Sequence, residues 1–209
     1  MHIAEGVLSP PILVGGAILT TIGVVRGLRS MDADTLPRAG VMAAALFVAS
    51  LVHVPVGVGS AHLILNGLAG LLLGWAVFPA LLVALFLEAI LFQFGGLTTL
   101  GVNTATMALP GLLCYLAFGP FVRRWGATGL VAPFSAGALA VALSGVMVAA
   151  SLFASGEAFG TTAFLLLAAH VPIMIVEGLI CAFCVAFLRV VKPQMLLGVG
   201  LRPELVHAR

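Results

Sequence analysis

The chain has 209 residues, of which 62% are hydrophobic and 8% charged, whereas an ordinary soluble domain carries roughly a quarter of its residues charged. This composition is that of a membrane protein. Nine Lys and Arg against seven Asp and Glu leave a formal charge of +2, too small and too dispersed to track a phosphate backbone, so nucleic acid is excluded as a partner. The only lysine, Lys192, is followed by Pro193 instead of the Ser or Thr of a phosphate-cradling loop, which excludes ATP hydrolysis by that route.

In chain order, apolar runs lie near residues 7–25, 39–54, 60–75, 77–94, 102–121, 129–153 and 161–190. The stretch from 60 to 94 is nearly uninterrupted. As one helix it would be about 50 Å long, well beyond a hydrocarbon core of about 30 Å, so it is expected to fold back around Gly74 to Pro79. Seven spans put Arg26, Arg29, Arg38, Arg123, Arg124, Arg189, Lys192, Arg202 and Arg209 on one side and no positive residue on the other. Six spans would split these charges. Because cytoplasmic connections collect Lys and Arg, the expected fold is an all-α bundle of seven transmembrane helices, N-terminus outside and C-terminus cytoplasmic. With no linker, composition shift or internal repeat, residues 1–209 read as a single polytopic domain. The first residues lack a positive n-region and a cleavage signal, so the N-terminus is expected to be translocated and kept.

Ionisable residues within or beside apolar runs need partners or a purpose, because an unpaired charge at mid-bilayer costs about 2.5–3.5 kcal/mol on insertion scales. His53 and His62 bracket the second outside connection, VHVPVGVGSAHL, where a histidine is either an interfacial hydrogen-bonded group or a ligand facing an outward cavity. Glu88, deep in the fourth run, is either structural glue between helices or part of a site. His170 and Glu177 stand seven residues apart, two turns along one helical face, as a satisfied buried pair or a proton path, with Pro172 marking a kink or a span boundary. Cys181 and Cys184 form a CxxC pattern inside an apolar run, where desolvation blunts thiol chemistry and packing is the better reading. The pairs Gly23/Gly27 and Gly70/Gly74 fit small-xxx-small spacing and mark faces able to dock another helix.

The opening Met1-His2-Ile3-Ala4-Glu5-Gly6 has a distinct chemistry. A free α-amine, the next amide nitrogen and the imidazole of that residue chelate one metal through a five-membered and a six-membered ring. Three nitrogens in a plane leave a single fourth position. Such a set suits metals that accept square-planar nitrogen coordination and displace an amide proton, chiefly Ni(II) and Cu(II), and disfavours tetrahedral Zn(II).

The start MHIAEGVLSP, together with VPVGVGSAHLILNGLAGLLLG, FQFGGLTTLGVNTATMALPG and AHVPIMIVEGLICAF in the same order and spacing, resembles the CbiM and NikM family over nearly the whole chain. These are the substrate-capture (S) components of energy-coupling-factor cobalt and nickel transporters. The resemblance implies a protein of the prokaryotic cell (inner) membrane that binds Co(II) or Ni(II) as transported ligand, for cobalamin synthesis or nickel enzymes, and is not itself an enzyme. It implies as ligands the amine of Met1, the amide and imidazole of His2, and the imidazole of His62. It further suggests supporting roles for Glu5 and for Asn103, the latter orienting a ligand imidazole, while His53 and Glu88 are candidate supporting residues by their own positions, Glu88 standing where many relatives have Gln. The implied partners are a transmembrane coupling (T) subunit, cytoplasmic ATPase subunits and a small membrane accessory subunit. Two other readings are a vitamin-binding S component, for which 8% aromatic residues supply few walls, and a membrane metal or thiol enzyme, for which HExxH is absent.

Overall fold

The computed structural model of the chain describes residues 2–56, 59–122, 127–156 and 160–196; within these, the side chains of 53–56, 59–61, 127–128, 160–166 and 169 lie outside the description. The described residues form helices α1 (Pro10–Ser30), α2 (Thr35–Ser50), α3 (Asn66–Leu73), α4 (Val77–Phe92), α5 (Leu100–Val122), α6 (Ala127–Ser155) and α7 (Gly160–Val191), with a hairpin of strands β1 (His53–Val56) and β2 (Gly59–His62) between α2 and α3. Helix α1 starts at Pro10 because Ser9 is extended and the prolines that follow fit a first helical turn, where no amide donor is needed. At the start of α2 the Asp32 carboxylate accepts the Thr35 amide (2.8 Å) and hydroxyl (2.6 Å) protons. Pro172 lies inside α7 without ending it.

The third apolar run departs from expectation. Its first residues are strand and connection, and α3 has only eight residues, about 12 Å of helix, well short of a hydrocarbon core. An all-α description therefore omits a two-stranded element. The sequence accounts for it: β-branched valines alternate with His53 and Pro55 in VHVPV, and a proline there deprives a helix of an amide donor.

Helix contacts fix the chain directions. Gly16 of α1 packs on Val102 and Gly101 of α5 on Ala17, whereas Gly23 and Gly27, lower on α1, pack on Phe78 and on Trp75 and Pro79. Helix α4 thus begins far from the start of α5. It ends near it, where Gly95 packs on Asn103. Helix α3 runs alongside α5 in the opposite sense to α4, with Asn66 bonded to Met107, Gly70 against Gly111, and Gly74 against Tyr115. The chain therefore reverses at Gly74–Ala76, as its length requires. Gly74 makes that turn at φ +55°, a conformation that L side chains rarely adopt. Of the two glycine pairs, Gly23/Gly27 and Gly70 dock helices and Gly74 turns the chain.

Apolar and polar groups are distributed inside out relative to a soluble protein. On α7, Phe183 and Val190 are 73% and 77% exposed while Glu177 is 1% exposed. Pro10–Ser30, Leu100–Val122, Gly129–Ser155 and His170–Val191 are long and apolar enough to cross a membrane, Asn66–Phe92 is as apolar but reverses at Gly74–Ala76, and α2 is a shorter apolar helix. The chain is an integral, multi-pass membrane protein.

Candidate metal site at the N-terminus

The segment before α1 folds inward over the end of the bundle formed by α4 and α5. Gly95, at φ +77°, and Gly96 clear its path, since a methyl group on Gly95 would lie 2.9 Å from the Asn103 amide nitrogen and one on Gly96 only 1.9 Å from Glu5 Cγ. Asn103 grips the main chain of Ile3 from both sides: its Oδ1 accepts the Ile3 N–H at 3.0 Å and its Nδ2 donates to the Ile3 carbonyl at 3.1 Å. The Thr99 hydroxyl donates to the same carbonyl at 2.9 Å. Ile3, 4% exposed, supplies the apolar half of this anchor. Glu5 fastens the outer edge by accepting the Thr98 amide proton at 3.2 Å, and the Ser9 amide donates to the Ser155 hydroxyl at 3.1 Å.

Anchoring Ile3 delivers His2 to the interior. Its ring stacks on that of His62, with centroids 4.7 Å apart and planes 10° from parallel, and Phe94 flanks it at 6.3 Å. His2 Nε2 lies 2.7 Å from Glu88 Oε2, inside the bundle, where Glu88 is 2% exposed. The two atoms meet at ion-pair distance but are not aligned for a hydrogen bond. His62 Nδ1 is 2.9 Å from the Leu63 carbonyl. A carbonyl only accepts, so the contact places a proton on Nδ1, and in the neutral ring the lone pair then sits on Nε2. His2, His62, Glu88, Leu85, Met107 and Ser50 contribute to the lining of a cavity of about 10 Å³, room for one water-sized or ion-sized sphere.

The sequence-predicted residues thus separate into groups. His2, His62 and Glu88 come together. Asn103 does not orient an imidazole in the way predicted; its amide complements a peptide unit and is spent on the Ile3 main chain. Glu5 stays outside the cavity lining and holds the segment to Thr98. The backbone of His53 pairs with that of His62 across the hairpin, and its side chain lies outside the described residues, as does Met1. Among the described residues no group of three His, Cys, Asp or Glu side chains is placed to hold a metal.

His170 and Glu177 do not form the expected pair. Seven residues of helix separate them by about 10 Å along the axis, and the Glu177 carboxylate instead accepts the amide protons of Ile64 and Leu65. Sequence reasoning missed this contact, and also the anchoring role of Thr99. The cysteines form no disulfide, with Cys114 and Cys181 buried in the core.

The chain is similar to known proteins over nearly its whole length. The profile of the CbiM family, described as a cobalt uptake substrate-specific transmembrane region, matches residues 2–195. A Haemophilus influenzae protein named for metal transport is 41% identical over 199 residues, covering 94% of this chain and 97% of its own length. The cobalt transport protein CbiM of Sorangium cellulosum is 34% identical over 215 residues, covering 94% of each chain. The crystal structure of a truncated transition metal transporter shares the fold, with a TM-score of 0.76 at 24% identity over 90% of this chain and 98% of that one.

Proposed function

The chain belongs to the CbiM family of cobalt-uptake membrane proteins, and from that premise we propose that it captures Co(II) or Ni(II) at its N-terminus as the substrate-binding component of an energy-coupling-factor transporter. The donors are the Met1 amine, the His2 amide nitrogen, His2 Nδ1 and His62 Nε2. The observation that carries this reading is the anchoring of Ile3 by Asn103 and Thr99, which brings the second residue of the chain onto the ring of a residue sixty positions away. Nothing in the packing of the helices asks for such an anchor. A site that uses the first atoms of the chain does.

The divalent ion and the deprotonated amide leave one positive charge, which Glu88, as a carboxylate beside His2, offsets. The remaining steps belong to partners: a transmembrane coupling subunit and cytoplasmic ATPases supply the energy, and a small membrane accessory subunit assists loading. In this reading seven membrane-embedded helices place the N-terminus outside, opposite the nine Lys and Arg. In intact cells a cysteine at position 155 is labelled from outside and one at position 128 is not; equal labelling overturns that orientation. The metal then feeds cobalamin synthesis or a nickel enzyme. The vitamin-binding alternative is disfavoured by a cavity of about 10 Å³, where pockets for small organic ligands run to about 300–1,000 Å³.

The decisive experiment adds one residue before Met1, with mass spectrometry to establish that the extension is intact and unformylated. The former amine becomes a peptide nitrogen, the helices are untouched, and Ni(II) binding measured by calorimetry is lost. Full stoichiometry at unchanged affinity would refute the N-terminal chelate and move the site to side chains alone. Binding also weakens as pH falls, since amine, amide and imidazoles must all give up protons.

A further inference from the structure

We infer that Glu177 is a positioning residue for His62, acting through the single peptide unit between Leu63 and Ile64; the inference rests on the ligand role of His62 proposed above. The carbonyl of that unit faces the His62 Nδ1 proton at 2.9 Å. Its amide, on the opposite edge, donates to Glu177 Oε1. A trans peptide is planar with C=O and N–H pointing in opposite directions, so fixing one edge fixes the other. Glu177 therefore sets the direction of the carbonyl that holds the proton on His62 Nδ1, which in the neutral ring leaves the lone pair on Nε2.

Three further observations support the assignment. The next amide, that of Leu65, also donates to Glu177, at 3.0 Å to each carboxylate oxygen, so the carboxylate clamps two consecutive peptide units. Leu65 has φ +52° and ψ 18°, a left-handed conformation for a non-glycine residue that persists only where its surroundings impose it. These amides immediately precede α3, whose first turn presents N–H groups that attract negative charge, which suits a carboxylate 1% exposed and inside the bundle. Metal-bound imidazoles usually donate their second nitrogen proton to a carboxylate or a carbonyl. Here both occur in series, and a hydrogen-bond chain of this kind polarises along its length. The carboxylate belongs to α7 and the imidazole to the hairpin, so the placement of the fourth donor depends on the seating of α7.

The test is a double-mutant cycle on the purified full-length chain, with its free N-terminus established by mass spectrometry and Ni(II) alone as probe. E177A weakens Ni(II) binding about tenfold or more when His62 is present, in the range found for lost support of a metal ligand. In the H62A background, titrated at the higher Ni(II) concentrations where the N-terminal amine, amide and His2 still bind, E177A has no additional effect. The visible absorption of bound Ni(II) in E177A moves toward that of H62A, reporting the loss of the fourth nitrogen donor. E177Q keeps the size and one acceptor oxygen but turns an N–H group toward one of the amides, and it gives an intermediate loss even if E177A fails to fold. Equal weakening in both backgrounds, or unchanged affinity with His62 present, overturns the proposal in favour of a purely structural carboxylate. Unchanged affinity in H62A alone overturns the ligand role of His62 instead.

Discussion

The two ends of the helix bundle are built on different physics. At the end that carries His2 and His62, the chain is held by side chains bonded to main chain across long sequence separations: Asn103 and Thr99 on Ile3, Glu5 on Thr98, Glu177 on Ile64 and Leu65. At the opposite end, the start of α4 is pressed onto α1 at Gly23 and Gly27, Trp75 carries the Arg26 guanidinium 5.3 Å above its ring, and Arg189 donates to the Val122 and Gly129 carbonyls. Close contact of small residues packs helices without any hydrophobic drive inside a membrane. Directed hydrogen bonds specify positions to a fraction of an ångström, as a metal site demands. Binding and stability should therefore be separable by mutation.

The largest expected effect lies at the proposed fourth ligand. His62→Ala nearly abolishes Ni(II) binding at micromolar concentration, whereas His53→Ala leaves most of it; calorimetry on each purified variant decides, and a reversed order moves the ligand to the other strand of the hairpin. Next comes Asn103→Ala, which frees the Ile3 main chain and weakens binding about 10- to 100-fold, the range for groups that support metal ligands, with a small change in thermal unfolding. An equal loss of stability and affinity would erase the contrast between the two ends. Gly27→Ala should act in the opposite way. Its new methyl group would stand 2.6 Å from the Trp75 carbonyl oxygen and the Pro79 ring, and overpacking of this kind costs about 1–3 kcal/mol. The melting temperature falls while the folded fraction binds Ni(II) with unchanged affinity.

The smallest effect concerns the exposed connection between α1 and α2. Hydrogen bonds from the Thr35 hydroxyl and amide hold the Asp32 carboxyl below its ordinary value. A depressed carboxyl contributes stability above its unfolded pKa and loses it as pH falls through the lower folded value. Asp32 is fully solvated, so the contribution is small. Thr35→Val returns its titration, followed by NMR, toward the ordinary range and leaves Ni(II) binding unchanged. A change in binding would connect the two ends in a way the packing does not.

Much of this molecule is legible from local pattern. Apolar runs become helices because a bilayer forces backbone hydrogen bonds to close within the segment, and Gly74 is marked as a turn because a 35-residue run is too long to cross once. Residues 60–65 belong to a run of mostly apolar residues with no clear period, so pattern alone does not separate strand, connection and helix there. Cys181 is buried and Cys184 half-buried, and neither forms a disulfide.

By itself the sequence determined the membrane class, the order of the helices and the donor atoms available at the N-terminus, because composition, run length and functional groups are local properties. Only the tertiary structure decided what those donors meet. Asn103 serves Ile3 across one hundred residues, and Glu177 serves Ile64 and Leu65 across more than one hundred. Hydrogen-bond partners at such separations are chosen by how the helices pack. Neither the Asn103 amide nor the Glu177 carboxylate carries any mark in its own neighbourhood of which distant peptide it will hold.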